Sequence, residues 1–199
     1  MIKLYDIPLS GNCYKIRLFL SLLGEEYETI PVNAAAGENR AAAFLKINPR
    51  GQVPVLEDDG LAIWDSTAIL MYLARRYGNE IWLPLDATGL AAVGQWLAVA
   101  QNEILYGLAR ARAMVLFKRA GDMQEYLTVG TGILEVMEKH LENRHWLALD
   151  HVTIADIACF PYVALAPDAG ITLDQYPAIQ AWITRIKMLP GYTSMQGLG

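Results

Sequence analysis

Two short stretches of this sequence hold residue types whose order could do chemistry. In Leu9-Ser10-Gly11-Asn12-Cys13-Tyr14-Lys15, a strand-like start runs into a helical pattern. Proteins that cycle a dithiol place Cys-x-x-Cys at such a turn, nucleophile first. Ser10-x-x-Cys13 holds one thiol, so an internal dithiol cycle is unavailable. Cys13, one turn into the helix, reads as a buried small apolar residue. If it faces a ligand instead, it is a thiol able to form a mixed disulfide.

The second stretch is Asn48-Pro49-Arg50-Gly51-Gln52-Val53-Pro54-Val55-Leu56, followed by Trp64-Asp65-Ser66. Pro54 lies in a strand-like run, where proline removes a ladder donor. It reads as the opening of an edge strand, or as a cis peptide that turns the Val53 N–H and C=O toward a ligand. Such an edge would hold a peptide-like ligand as an added short strand. Asp65-Ser66 sits at a helix start and reads first as an ordinary N-cap. Its other reading is an anion site: free N–H groups, the Ser66 hydroxyl and the helix dipole take a carboxylate, while Asp65 pairs with an ammonium group. A ligand with both groups on one carbon has an amino-acid end, such as a γ-glutamyl group.

The elements that must position these residues follow from periodicity. Ile2 to Tyr5 and Tyr27 to Val32 read as strands, and Asn12 to Leu23 as a helix stopped by Gly24. Glu38 to Ile47 is a short, poorly periodic helical stretch. Val53 to Leu56 and Leu61 to Ile63 flank the hairpin turn Asp58-Asp59-Gly60, and Asp65 to Tyr77 closes the unit as a helix. The order β-α-β-α-β-β-α predicts an α/β unit with a mixed four-stranded sheet over residues 1–77. After a linker at 78–86, residues 87–199 predict an all-helical domain, with helices at Ala87–Met114, Asp122–Leu141, Ile154–Leu165 and Gln175–Leu189.

Composition narrows the function. The chain has 199 residues, 54% hydrophobic and 19% charged, with a net charge of −5. Charged residues fall below the usual quarter or so, which leaves apolar surface for a partner chain, most simply a second copy in a symmetric dimer. The acidic balance argues against nucleic acid. No apolar stretch approaches the length of a membrane span. Cys13 and Cys159 form no disulfide framework, and a cytoplasmic protein is expected. His140, His145 and His151 share no helical face, so no metal is expected.

The run from Asn48 through Ser66, with its continuation Thr67-Ala68-Ile69-Leu70-Met71-Tyr72-Leu73, resembles the glutathione-binding signature of cytosolic-type, bacterial-like glutathione transferases. A second resemblance lies in Val152-Thr153-Ile154-Ala155-Asp156-Ile157. As residues, this is a capping box with Thr153 at the N-cap and Asp156 at N3. It is similar to the capping box of that family's helical domain. Together the two cover essentially the whole chain. They imply a thioredoxin-like half, a helical-bundle half, a homodimer, glutathione as co-substrate and a role in detoxification. They also imply that Val53 pairs with the cysteinyl backbone of glutathione beside cis Pro54. Gln52, Asp65 and Ser66 would hold the γ-glutamyl end, and Asn39 and Arg40 the glycyl carboxylate.

The resemblance maps Ser10 onto the hydroxyl that serine-type members use to hold the glutathione thiolate, a better match than Tyr5. The magnitudes allow that role. Lowering a thiol pKa from about 8.5 to about 6.5 takes roughly 2.7 kcal/mol. A hydrogen bond to a charged group supplies about 1.5–3 kcal/mol, and a helix N-terminus adds about 0.3–1 kcal/mol. Asn12 reads as a second donor to the thiolate or as a helix cap. The expected reaction is transfer of glutathione to a small hydrophobic electrophile. The alternatives are a glutathione-dependent disulfide or peroxide reductase using Cys13, and a non-catalytic binding or assembly module on the same scaffold. For the second substrate, Trp96, Asn102 and Tyr106 are candidate pocket residues, against a reading as core or dimer contacts.

Overall fold

A computed structural model describes residues 1–198. The sheet is built first along the chain, and its central strands are the apolar ones. Strand β1 (Ile2–Asp6) buries Ile2, Leu4 and Asp6 on one face. It pairs in parallel with β2 (Tyr27–Pro31) and antiparallel with β3 (Val55–Asp58), which pairs antiparallel with β4 (Leu61–Trp64). The order is β2-β1-β3-β4, the mixed four-stranded sheet that the sequence predicts. Pro31 falls in an edge strand, where a missing N–H costs no ladder bond. At the β3–β4 hairpin both central residues, Asp59 (φ 48°) and Gly60 (φ 81°), are left-handed. That is the geometry a two-residue hairpin turn needs to match strand twist.

Helix α1 (Gly11–Leu23) starts on the Ser10 side chain, which accepts from the Cys13 N–H at 3.2 Å, and ends on left-handed Gly24. It is buried almost all round, from Cys13 through Leu20 apart from Arg17. A helix covered on every side has no polar face to spare, so Lys15 is buried with the rest. The expected helix at 38–47 splits into a 3-10 turn (Glu38–Arg40) and α2 (Ala42–Ile47), because Ala41 is extended between them. Phe44 of α2 packs with Val32 and Val55 as a small second core. Helix α3 (Ser66–Arg76) follows β4 and is tied to the hairpin, where Tyr72 and Tyr77 both donate to buried Asp58.

The helical half corrects one expectation. Ala87–Met114 is not one helix: α4 (Ala87–Gln101) ends at Asn102, a π-helical turn spans Ile104–Ala109, and α5 (Arg110–Phe117) follows. The cause is a close crossing with α6 (Met123–Leu141). A Cβ on Gly107 would stand 2.5 Å from the Gly130 backbone N, so the two helices meet backbone to backbone at a glycine pair. Helix α7 (Ile154–Ala164) is the buried centre, and α8 (Pro177–Lys187) packs outside it. The Thr153–Asp156 capping box forms. Asp156 also accepts from the Leu147 N–H (3.0 Å) and the Trp182 Nε1–H (2.9 Å), so it joins three segments. One continuous apolar core runs from β1, α1 and α3 through α4, α6, α7 and α8.

Candidate active site in the cleft between strand edge and helix start

The loop after α2 is built around one side chain. Asn48, 1% exposed, donates through Nδ2 to the Gln52 C=O at 2.6 Å and accepts from the Arg50 N–H at 3.0 Å. Gly51 (φ 60°) turns the chain there, and a Cβ on it would meet the Asn39 carbonyl at 2.8 Å. The loop delivers Val53 to the cleft before a cis Val53–Pro54 peptide. Among the described residues, neither the N–H nor the C=O of Val53 is hydrogen-bonded. They form a short open backbone edge just ahead of β3.

Across from this edge, Asp65 caps α3, accepting the Thr67 N–H at 2.9 Å from a backbone at φ 78°, ψ 125°. Positive φ at a non-glycine costs about 1–3 kcal/mol and persists where the surroundings over-determine it. Here they do. Gln101 of α4 donates to both Asp65 Oδ1 (2.8 Å) and Thr67 Oγ1 (2.7 Å), and Arg50 pairs with Asp65 Oδ2 at 3.1 Å. The Arg50–Asp65 pair is largely solvated and worth little, so a ligand's ammonium and carboxylate can replace it.

A single concavity is lined by Asn12, Asn48, Arg50, Gln52, Val53, Pro54, Asp65 and Ser66. Six of the residues singled out in the sequence (Asn12, Gln52, Val53, Pro54, Asp65 and Ser66) thus meet. Asn12 brings a buried side-chain oxygen that has no partner. Such an orphan is rare in a folded protein. Ser10 stands just outside the lining, half-buried at the head of α1. Its oxygen accepts the Cys13 N–H, and its hydroxyl, which also carries a donor, stands beside the Cys13 sulfur.

Other candidates fall elsewhere. The Cys13 thiol is fully buried, and burial first, then the charge of Asp6, pushes its pKa up to about 12 despite the Ser10 contact. It supplies no thiolate near neutral pH. Asn39 donates to the Gly51 C=O (2.7 Å) and Arg40 to the Arg50 C=O (3.1 Å), so both brace the loop rather than line the cleft. Trp96 is buried against His140, ring centroids 4.7 Å apart, inside the helical core. Asn102 is exposed with its side chain on the Ala98 C=O, and exposed Tyr106 lies under the Arg110 guanidinium at 4.3 Å. Trp96 thus faces the helical core, while Asn102 and Tyr106 are exposed beyond the end of α4. His140 and His151 hydrogen-bond the Leu147 and Ile81 carbonyls, and no group of metal-ligating residues forms among the described residues. Gln101 was not singled out in the sequence, and Asn48 stood in the Asn48–Leu56 run without a role of its own. An Asn-Pro turn could have signalled Asn48, whereas Gln101 lies 36 residues from Asp65 with no local mark.

The family models agree with this architecture. The glutathione S-transferase N-terminal domain matches residues 1–75, and the glutathione S-transferase C-terminal domain matches residues 110–190. A probable glutathione S-transferase of rice (Oryza sativa subsp. japonica) is 32% identical over 98% of this chain and 96% of its own. A disulfide-bond oxidoreductase of Escherichia coli K12 is also 32% identical, over 96% of this chain and 92% of its own. The crystal structure of a glutathione S-transferase from Xanthobacter autotrophicus Py2 covers all of this chain and 98% of its own, at 35% identity and a TM-score of 0.91. The chain belongs to the glutathione S-transferase family.

Proposed function

We propose that this chain binds glutathione in the cleft and transfers it, as the thiolate, to a small hydrophobic electrophile. One observation carries the reading: polar groups left without protein partners, Val53 N–H and C=O and the Asn12 amide, converge on one concavity beside a helix N-terminus. Val53 would pair with the cysteinyl backbone as an added strand. Ser66 and the first turn of α3 would take the γ-glutamyl carboxylate, and Asp65 its ammonium. Arg40 and Asn39, braced on the loop, are proposed to meet the glycyl carboxylate from there.

The cysteinyl sulfur then lies toward α1. The Ser10 O–H, turned from the buried Cys13 sulfur, and the Asn12 side chain donate to it (the Asn12 amide being free to flip, since its oxygen and nitrogen assignments are interchangeable). The helix dipole favours the anion. The thiolate attacks the electrophilic carbon, an S–C bond forms, and the leaving group departs with its electron pair. Asn102 and Tyr106 remain proposed contacts of the electrophile. The oxidoreductase relative favours a second reading, disulfide reduction by glutathione, with the chemistry on the tripeptide's sulfur rather than on buried Cys13.

Conjugation to a chloronitroarene, followed against pH in Ser10→Ala and Asn12→Ala, tests this. Loss of a hydrogen bond to a charged group, about 1.5–3 kcal/mol, moves the thiol's ionisation up by about 1–2 pH units. Each variant is expected to lose activity at pH 6.5 and regain it at alkaline pH. An unshifted profile in both removes these residues from the mechanism.

A further inference from the structure

The loop that presents Ser10 is held from both halves of the molecule. From its own half, Arg17 pairs with Asp6 and donates to the Pro8 C=O at 2.9 Å. From the helical half, Arg112 of α5 donates through Nη1 to the Leu9 C=O at 2.8 Å and through Nε to Asp168 Oδ2 at 2.8 Å. On the other flank of Ser10, the Tyr162 ring of α7 lies so close to Gly11 that a Cβ there would fall 2.6 Å from it. Ser10 is thus bracketed, its two neighbours each set by a residue of the helical half.

Arg112 is 3% exposed. A buried guanidinium is costly unless its donors are met, and its rigid planar fork meets acceptors only in fixed directions. One direction is spent on Asp168, so the other fixes where the Leu9 carbonyl stands. The Leu9 carbonyl and the Ser10 nitrogen belong to one planar peptide unit. Holding the oxygen therefore sets the plane from which the Ser10 side chain projects. The Ser10 N–H closes the arrangement on the Ile7 C=O at 2.9 Å.

The geometry points to Arg112 as a positioning residue: oriented by Asp168, it clamps the Leu9–Ser10 peptide so that the Ser10 hydroxyl meets the glutathione sulfur. The assignment rests on the role proposed for Ser10. It makes the helical half a working part of the thiolate site and not only the wall of a second pocket. Misplacement of a reacting group by about 1 Å costs on the order of a hundredfold in rate.

Arg112→Met and Arg112→Lys, with S-methylglutathione and glutathione as probes, separate positioning from folding and from simple charge. S-methylglutathione has no ionisable thiol and reads the residues that hold the tripeptide's two ends; its affinity is expected to stay within about twofold in both variants, as Arg112 bonds to Asp168 and Leu9 and not to those residues. The pH limb for conjugation is expected to move up by about one unit in Arg112→Met, with about a tenfold loss of kcat/KM at pH 6.5. Lysine keeps the charge but not the fork, so Arg112→Lys should resemble Arg112→Met. Should both fail to fold, Asp168→Asn loosens the same fork and should shift the limb in the same direction, less far. An unmoved limb, a wild-type limb in Arg112→Lys, or S-methylglutathione affinity falling in step with kcat/KM overturns the assignment. A wild-type protein that never ionises bound glutathione refutes instead the function on which it rests.

Discussion

Lys15 shows most sharply how one residue can run against the pattern around it. It sits in the second turn of α1, 1% exposed, its side chain making no hydrogen bond among the described residues, with the Tyr162 ring centroid 5.5 Å from its nitrogen. Burial pulls its pKa down to about 8, although the Cys159 and Asp65 side chains favour the charged form. The unfolded value is near 10.4. Between about pH 8 and 10.4 the unfolded chain therefore holds more protons, and this group's contribution to stability rises with pH. Below about pH 8 it imposes its whole penalty, on the order of 3 kcal/mol. Lys15→Met is expected to be more stable than wild type at pH 7 in urea unfolding, with the gain shrinking by pH 10. A gain that does not change with pH would show that the ammonium is better solvated than its burial implies. The residues of the cleft were easier to read. Val53-Pro54 and Asp65-Ser66 carry local marks, a proline in a strand and an acidic helix start, and they act within a few residues of where those marks lie. Arg112 and Gln101 act across 103 and 36 residues, and a helical sequence gives no sign of which polar residue will reach that far.

Among the elements, the ones with their own punctuation stand as the sequence predicts. Gly24 ends α1, Asp59-Gly60 turns the hairpin, and the Thr153–Asp156 box starts α7. What escaped was set by contact between elements. Periodicity carried α4 straight through to Met114, because nothing local reports that Gly107 and Gly130 will be pressed together. The π-helical turn is the accommodation: one extra residue per turn locally re-aims the helix and recurs near functional sites. Gly107→Ala should accordingly act as overpacking of a backbone contact, costing about 1–3 kcal/mol, whereas alanine in an ordinary helix would stabilise. Urea unfolding of this variant distinguishes the two, and a stabilised protein would mean that the crossing is looser than described.

At the scale of the whole molecule, one core joins the two halves, while the cleft is lined by residues of the first half. Several large apolar side chains remain exposed on consecutive elements, namely Leu61 and Trp64 on β4, Met71 on α3 and Leu90 on α4. We propose that they are covered by a second copy of the chain, since isologous dimers are the commonest assembly. Sedimentation equilibrium should then return twice the 22.1 kDa chain mass, and Met71→Lys should move it toward the monomer. A wild-type monomer at micromolar concentration would leave that surface without its proposed occupant.

The central claim is that the cleft takes glutathione and ionises it, and a calorimetric titration with the ultraviolet absorbance of the thiolate followed in the same samples tests it most directly. Saturable binding, accompanied by a thiolate signal that appears near or below pH 7, is the predicted result. Binding without that signal, or no binding at all, would contradict it.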